Sequence, residues 1–162
     1  MKLVRVPHVP HPSDERGWHT EAVEAWEDND RIGIIKVSWI PADEMETRYP
    51  TVDEYTRAIR GYGQTTPDML EDLLPAYTHF QEFHGHPFVA GVRVEEAHRR
   101  RGVATALYRE AALWLTERGL SLGASDTQTP EAEALWGHLR GRHDFVPARL
   151  PDGRWALRPA PG

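Results

Sequence analysis

Residues 92–119, VRVEEAHRRRGVATALYREAALWLTERG, constrain this chain more than any other stretch. A β-branched run ends in Val92-Arg93-Val94. A basic turn follows, Arg99-Arg100-Arg101-Gly102-Val103-Ala104, and then a segment without Gly or Pro runs to Gly119. Strand, basic turn and helix in that order make a place to hold a phosphate group. The N–H groups of a first helical turn have no intrahelical partners and point out along the axis. The helix macrodipole adds partial positive charge at the same end. Gly102 admits an anion close to the backbone because it carries no Cβ. Arg99, Arg100 and Arg101 add charge and fork-shaped donors.

Two common phosphate motifs are absent. There is no GxxxxGK[ST], and no GxGxxG followed by a distant acidic residue. What the stretch resembles is the acetyl-CoA loop of the GNAT superfamily of N-acetyltransferases, with the signature [RQ]-x-x-G-x-[GA]. Here it reads Arg99-x-x-Gly102-x-Ala104, between a strand and a helix. From Phe88 to about Arg158 the order of elements reads strand, helix, strand, helix, strand, strand, which is similar to the second half of that family. The resemblance implies an α/β (α+β) fold with a mixed, mostly antiparallel twisted sheet of about six or seven strands. Helices would flank the sheet, and its central strands would splay. It also implies acetyl-CoA as cosubstrate and direct transfer of acetyl to an amine. Residues 1–162 would form one domain, with 1–87 on the acceptor side and 88–158 holding acetyl-CoA. Hydrophobic pattern alone supports only an α/β or α+β domain.

The length of 162 residues suits a single core. The absence of cysteine excludes disulfides, thiolate metal sites and a cysteine nucleophile. The first residues, MKLVRVPHVPHP, are broken by proline and histidine and do not read as a signal peptide. No apolar run is long enough for a membrane span, so a cytoplasmic location is the default expectation. Net charge is −6, divided unevenly. Residues 1–87 carry 16 acidic and 8 basic side chains, and residues 88–162 carry 9 and 11. The acidic half favours a cationic partner such as an amine. A nucleic-acid module built on HRRRG is disfavoured, because such binding needs a spread-out basic surface. Oligomeric state is open, and a homodimer is compatible with the sequence.

Lys2–Val6 alternates as a short first strand. Pro7–Arg16 reads as a loop, whose His8 and His11 lack a third ligand for a metal. Thr20–Glu27 and Ile32–Ile40 flank the turn cluster Asp28–Arg31 and predict a hairpin, although EAVEAWE also suits a helix. Pro41–Gln81 reads as helical, with Thr51 and Thr66 near two starts and Pro75 as a breaker. Family members usually carry their two helices between the first and second strands, so this order departs from the pattern in the region that shapes the acceptor pocket. Pro87–Val94 is the strand feeding the basic turn, and Leu120–Ser125 is the next, short buried strand. Pro130 opens a helix, and Pro151-Asp152-Gly153 joins a final pair of strands. Whether that pair joins its own sheet or a neighbour's is open.

The resemblance implies roles for particular residues. Val92, Arg93 and Val94 lie on the strand whose free main chain pairs with the pantetheine arm. Amides from Arg100 through Val103 to Ala104 hold the diphosphate, with Thr105 as an additional donor. Val94 N–H is the expected oxyanion donor. An amine must be neutral to attack, so a base is needed. The usual base positions on the strand are Phe88 and Ala90, which cannot accept a proton. His86, His84 and Asp126 are the nearby candidates, and a histidine suits the task. The family's N-x-x-A-x-x-L-Y reads Thr129-x-x-Ala132-x-x-Leu135-Trp136 here. Trp136 cannot act as the acid, though it can pack beside the thiol end of the cofactor or in the core. Tyr108 is expected too near the phosphates to replace it. No metal is expected at His84 and His86. These departures also raise the alternative of a weak or inactive domain that binds CoA or a protein partner.

Overall fold

A computed structural model describes residues 1–9, 19–39, 86–125, 128–150 and 153–161. The expected helices of 41–81, and with them His84 and Asp126, lie outside the described residues. Seven strands form one sheet: β1 Lys2–Val6, β2 His19–Glu27, β3 Asp30–Trp39, β4 Phe88–Val94, β5 Leu122–Gly123, β6 Phe145–Arg149 and β7 Trp155–Pro159. Two α-helices are described, α1 Val103–Thr116 and α2 Pro130–Arg140. Strand order is β1-β2-β3-β4-β5-β7-β6, and β4 with β5 is the parallel pair in an otherwise antiparallel sheet. This is the mixed, mostly antiparallel α+β architecture that the sequence implies.

The hairpin forms as expected, with a tighter turn. Glu27 pairs with Asp30, leaving Asp28 and Asn29 as a two-residue connection. Asp28 adopts φ 53°, a left-handed geometry that Asp tolerates better than most residues. EAVEAWE is strand, not helix. It lies between β1 and β3, where both edges of its backbone are hydrogen-bonded, and this outweighs its local helical preference. The last two strands join this chain's own sheet, β7 pairing with β5.

Helix α1 lies on one face of the sheet and buries Val103, Leu107, Tyr108, Ala111, Ala112 and Leu115. Those positions recur at helical spacing, as an apolar stripe requires. Gly33 of β3 permits the contact: a Cβ there would stand 3.1 Å from Val103 and 3.2 Å from Leu107. The far end of α1 is clamped. Arg118 bonds both carboxylate oxygens of the buried Glu21, at 2.7 and 2.5 Å, and lies over the rings of Trp114 and Trp39. Arg5 of β1 pairs with Glu110 at 2.7 Å and Glu117 at 2.8 Å. The Arg5 hydrogen bond holds the Glu117 carboxyl below its ordinary value. These ties set the axis of α1, and therefore the direction in which its first turn points.

Candidate functional site

Strands β4 and β5 touch only at one end. Phe88 pairs with Gly123, and Gly123 N–H bonds Pro87 O at 2.9 Å. Beyond that point β5 stops and β4 runs on, so the sheet opens into a V. On its other edge β4 follows β3 with an irregularity. Lys36 pairs with Gly91 and Val37 with Val89, leaving Ala90 as the extra residue of a bulge.

Register determines which main-chain groups face the opening. Glu95 N–H bonds Ile32 O at 2.8 Å. Antiparallel ladders alternate, so Arg93 directs its N–H and C=O at β3. Those of Val92 and Val94 point the other way, into the V. The Val94 carbonyl accepts from Arg99 Nε at 3.2 Å. The same register sets Arg93 apart from Val92 and Val94. Its main chain belongs to the β3 ladder, and its side chain lies on the sheet face opposite α1.

The turn after β4 carries a short 3-10 turn, Glu96–His98, and then Arg99 to Gly102, all exposed. Arg100 (φ 63°) and Gly102 (φ 78°) both adopt left-handed geometry. Gly102 is the N-cap of α1 and has open space where a Cβ would stand. The first amide to bond back into the helix is Ala106 N–H, to Gly102 O at 3.0 Å. Val103, Ala104 and Thr105 thus present N–H groups without helical acceptors. Arg100 and Arg101 have no ion-pair partner among the described residues. Exposed guanidinium groups and free amides lie together in the segment that joins β4 to α1.

Inside the V is a cavity of about 250 Å³. Val89–Val92 form one wall, and Tyr108, Ser125, Gln128, Thr129 and Trp136 the other. Helix α2 delivers its share through a well-made start. Pro130 takes the first helical position, and the Thr129 hydroxyl accepts from Ala132 N–H at 3.2 Å. Trp136 both packs in the core, 3% exposed, and lines the cavity. Its ring meets Tyr108 edge-on, with centroids 5.8 Å apart and planes at 89°. Tyr108 therefore reaches the cavity wall, contrary to its expected position beside the phosphate loop. The stripe Val103, Leu107, Tyr108, Ala111 was the signal in the sequence, since it turns Tyr108 inward. Burial pushes the Tyr108 phenol up to about 12, partly offset by its hydrogen bond with Trp136, so it is protonated at neutral pH. The buried Nε2 of Gln128 has no hydrogen-bond partner among the described residues, leaving a donor at this wall.

A second hollow, about 600 Å³, lies on the opposite face of the sheet. It is lined by Val6 and His8, by Glu24 and Lys36, and by Ala90–Arg93. The segment Ala90–Val92 is common to both hollows. His86 lines neither of them and sits before Pro87 at the closed end of the V. Among the described residues there is no cluster that could hold a metal ion, and no helix long and apolar enough to cross a membrane.

The fold and site thus combine a sheet opened between two parallel neighbours with a basic helix start after β4. Residues 6–140 match the Acetyltransferase (GNAT) family, most of the chain, and the chain belongs to that family. It is also similar to acetyl transferase GW6a of Oryza sativa subsp. japonica, 37% identical over 62 residues. That similarity covers 38% of this chain and 15% of the length of the rice protein.

Proposed function

We propose that this protein transfers acetyl from acetyl-CoA to a primary amine. The observation that carries the reading is the segment Ala90–Val92, which borders the V on one side and the larger hollow on the other. A thioester in the V and an amine in the hollow would meet across that segment, so direct transfer needs no covalent enzyme intermediate. The fit of acetyl-CoA rests on the free amides of Val103, Ala104 and Thr105 and on the exposed Arg99, Arg100 and Arg101 for its diphosphate. The outward main chain of Val92 and Val94 would pair with its pantetheine arm, and Trp136 would pack against the thiol end.

The chemistry then distributes along β4. Val94 is at the loop end of the strand, about 13 Å from Ala90 at the usual strand rise. We therefore give Val94 to the pantetheine arm and the oxyanion to an amide at the Ala90 bulge, where the strand opens. Amine attack on the thioester carbon expels the thiolate, and Tyr108, which keeps its proton at neutral pH, is positioned to protonate it. Its neighbour Trp136 can only donate, so the phenol oxygen accepts and the phenol hydrogen remains free for this use. The base remains with His86 or Asp126. His86 precedes β4 and lines neither hollow, so as a base it would act through intervening water.

Calorimetric titration with acetyl-CoA tests the first half of this reading, and micromolar binding is expected. No heat at that level refutes it. Thiol release from acetyl-CoA with a panel of amines tests the second half. Binding without release would make this a CoA-binding domain. His86→Ala should slow release by about tenfold without weakening acetyl-CoA binding; unaltered turnover moves the base to Asp126.

A further inference from the structure

The described lining of the larger hollow carries a charge opposite in sign to the net charge of residues 1–87. Residues 1–87 carry a net charge of −8. Yet the charged side chains lining the hollow among the described residues are Glu24, Arg31, Lys36 and Arg93, with His8 at one end. Glu24 is taken up by Arg31, at 2.8 Å. Lys36 and Arg93 have no side-chain hydrogen bond or ion pair among the described residues. Among the described residues the hollow therefore has two uncompensated cations and a neutralised acid.

Register brings those cations to the reacting segment. Lys36 pairs with Gly91 and Ile34 with Arg93, so Lys36 and Arg93 are diagonal neighbours on one sheet face. Gly91, directly opposite Lys36, lies beside the Ala90 bulge, and a Cβ there would meet nothing within 4 Å. The lysine stem thus has open space above Gly91, next to the strand segment that both hollows share. Lys2 and Lys36 are the chain's two lysines, in a sequence where arginine is the usual cation. A flexible point charge at this spot suits a small anion held beside a reacting centre.

We infer that Lys36 and Arg93 form an anion subsite for the acceptor, and that the acceptor is an amine carrying a carboxylate. This inference rests on the acetyl-transfer reading above. The carboxylate lies between the ammonium of Lys36 and the guanidinium of Arg93, and the amine of the same molecule faces the Ala90 bulge. Charge complementarity both draws this acceptor in and disfavours a diamine, whose second ammonium would face two like charges.

The test uses the whole chain, saturating acetyl-CoA, and 4-aminobutyrate, butylamine and 1,4-diaminobutane as acceptors, with thiol release as the readout. These compounds vary the remote group while keeping an alkylamine nucleophile. The expected kcat/KM for 4-aminobutyrate exceeds that for butylamine by at least about tenfold, the scale of a charge-assisted contact in a partly open site. The preference shrinks as salt is raised. The ratio falls toward one in the Lys36→Gln/Arg93→Gln double variant, and Lys36→Glu turns the preference toward 1,4-diaminobutane. A parent enzyme that uses butylamine as well as 4-aminobutyrate overturns the subsite and leaves the transfer reading standing. So does a carboxylate preference that survives in the double variant. Failure of the parent to bind acetyl-CoA in calorimetry overturns the transfer reading itself, and this inference with it.

Discussion

Gly102→Glu separates the phosphate-loop reading from a simple structural role for this glycine. Gly102 is the N-cap of α1 at φ 78°, and a side chain there would enter open space. The first consequence is conformational. A residue with a Cβ held in left-handed geometry costs about 1–2 kcal/mol, and melting should fall by about 2–4 °C per kcal/mol for a chain of this size. Gly102→Ala incurs the same backbone cost and serves as the reference. The second consequence is electrostatic. A glutamate about 5 Å from a phosphate charge is repelled by about 1–3 kcal/mol between aqueous and surface-like dielectric limits. That corresponds to a Kd for CoA weaker by roughly five- to 150-fold than in Gly102→Ala. The assay is calorimetric titration of CoA into parent, Gly102→Ala and Gly102→Glu, with thermal melts of each. Raising the salt should narrow the gap between the two variants. If Gly102→Glu melts like Gly102→Ala and binds CoA as tightly, no diphosphate sits at this helix start and the reasoning fails.

Other outcomes follow from the same structure. Tyr108→Phe should lower kcat for thiol release by about tenfold with little change in acetyl-CoA affinity, since it removes one proton donor and no volume from the core; an unchanged kcat would leave the thiolate to solvent. Arg118→Ala should destabilise the fold by about 1–3 kcal/mol in urea unfolding, below the range for fully buried pairs because Arg118 is 36% exposed while Glu21 is 5%. Arg5→Gln should show a pH-dependent cost. Glu117 is held below its ordinary value of 4.5, first by the Arg5 hydrogen bond. A depressed carboxyl stabilises the fold above its unfolded value, and that contribution is lost as pH falls through the folded value. Parent and Arg5→Gln should therefore differ in urea midpoint at pH 7 and converge below about pH 4, within the range where free carboxylates protonate. A gap that persists in acid would mean that Arg5 acts by packing on Trp114, which it overlies at 5.5 Å.

What the sequence by itself determined is local. The turn within Asp28–Arg31, the helix start after Gly102 and the helix start at Pro130 depend on backbone preference and short-range hydrogen bonds, and all are legible in adjacent residues. Arg99-x-x-Gly102-x-Ala104 is legible for the same reason, because a helix start presents its amides whatever surrounds it. Pairing across the sheet was not legible to the same degree. EAVEAWE is a strand because two neighbours hold it. Arg93 differs from Val92 and Val94 because the ladder with β3 alternates, and the bulge at Ala90 sets where that alternation breaks. Tyr108 joins Trp136 only because α1 and α2 meet across the opening between β4 and β5. The charge of the larger hollow is the clearest case. Composition describes an acidic half, but the tertiary fold neutralises Glu24 with Arg31 and places Lys36 and Arg93 as diagonal neighbours on β3 and β4. Electrostatic attraction is short-ranged in salt water, so a ligand responds to the few charges within reach rather than to the net charge of the segment that carries them.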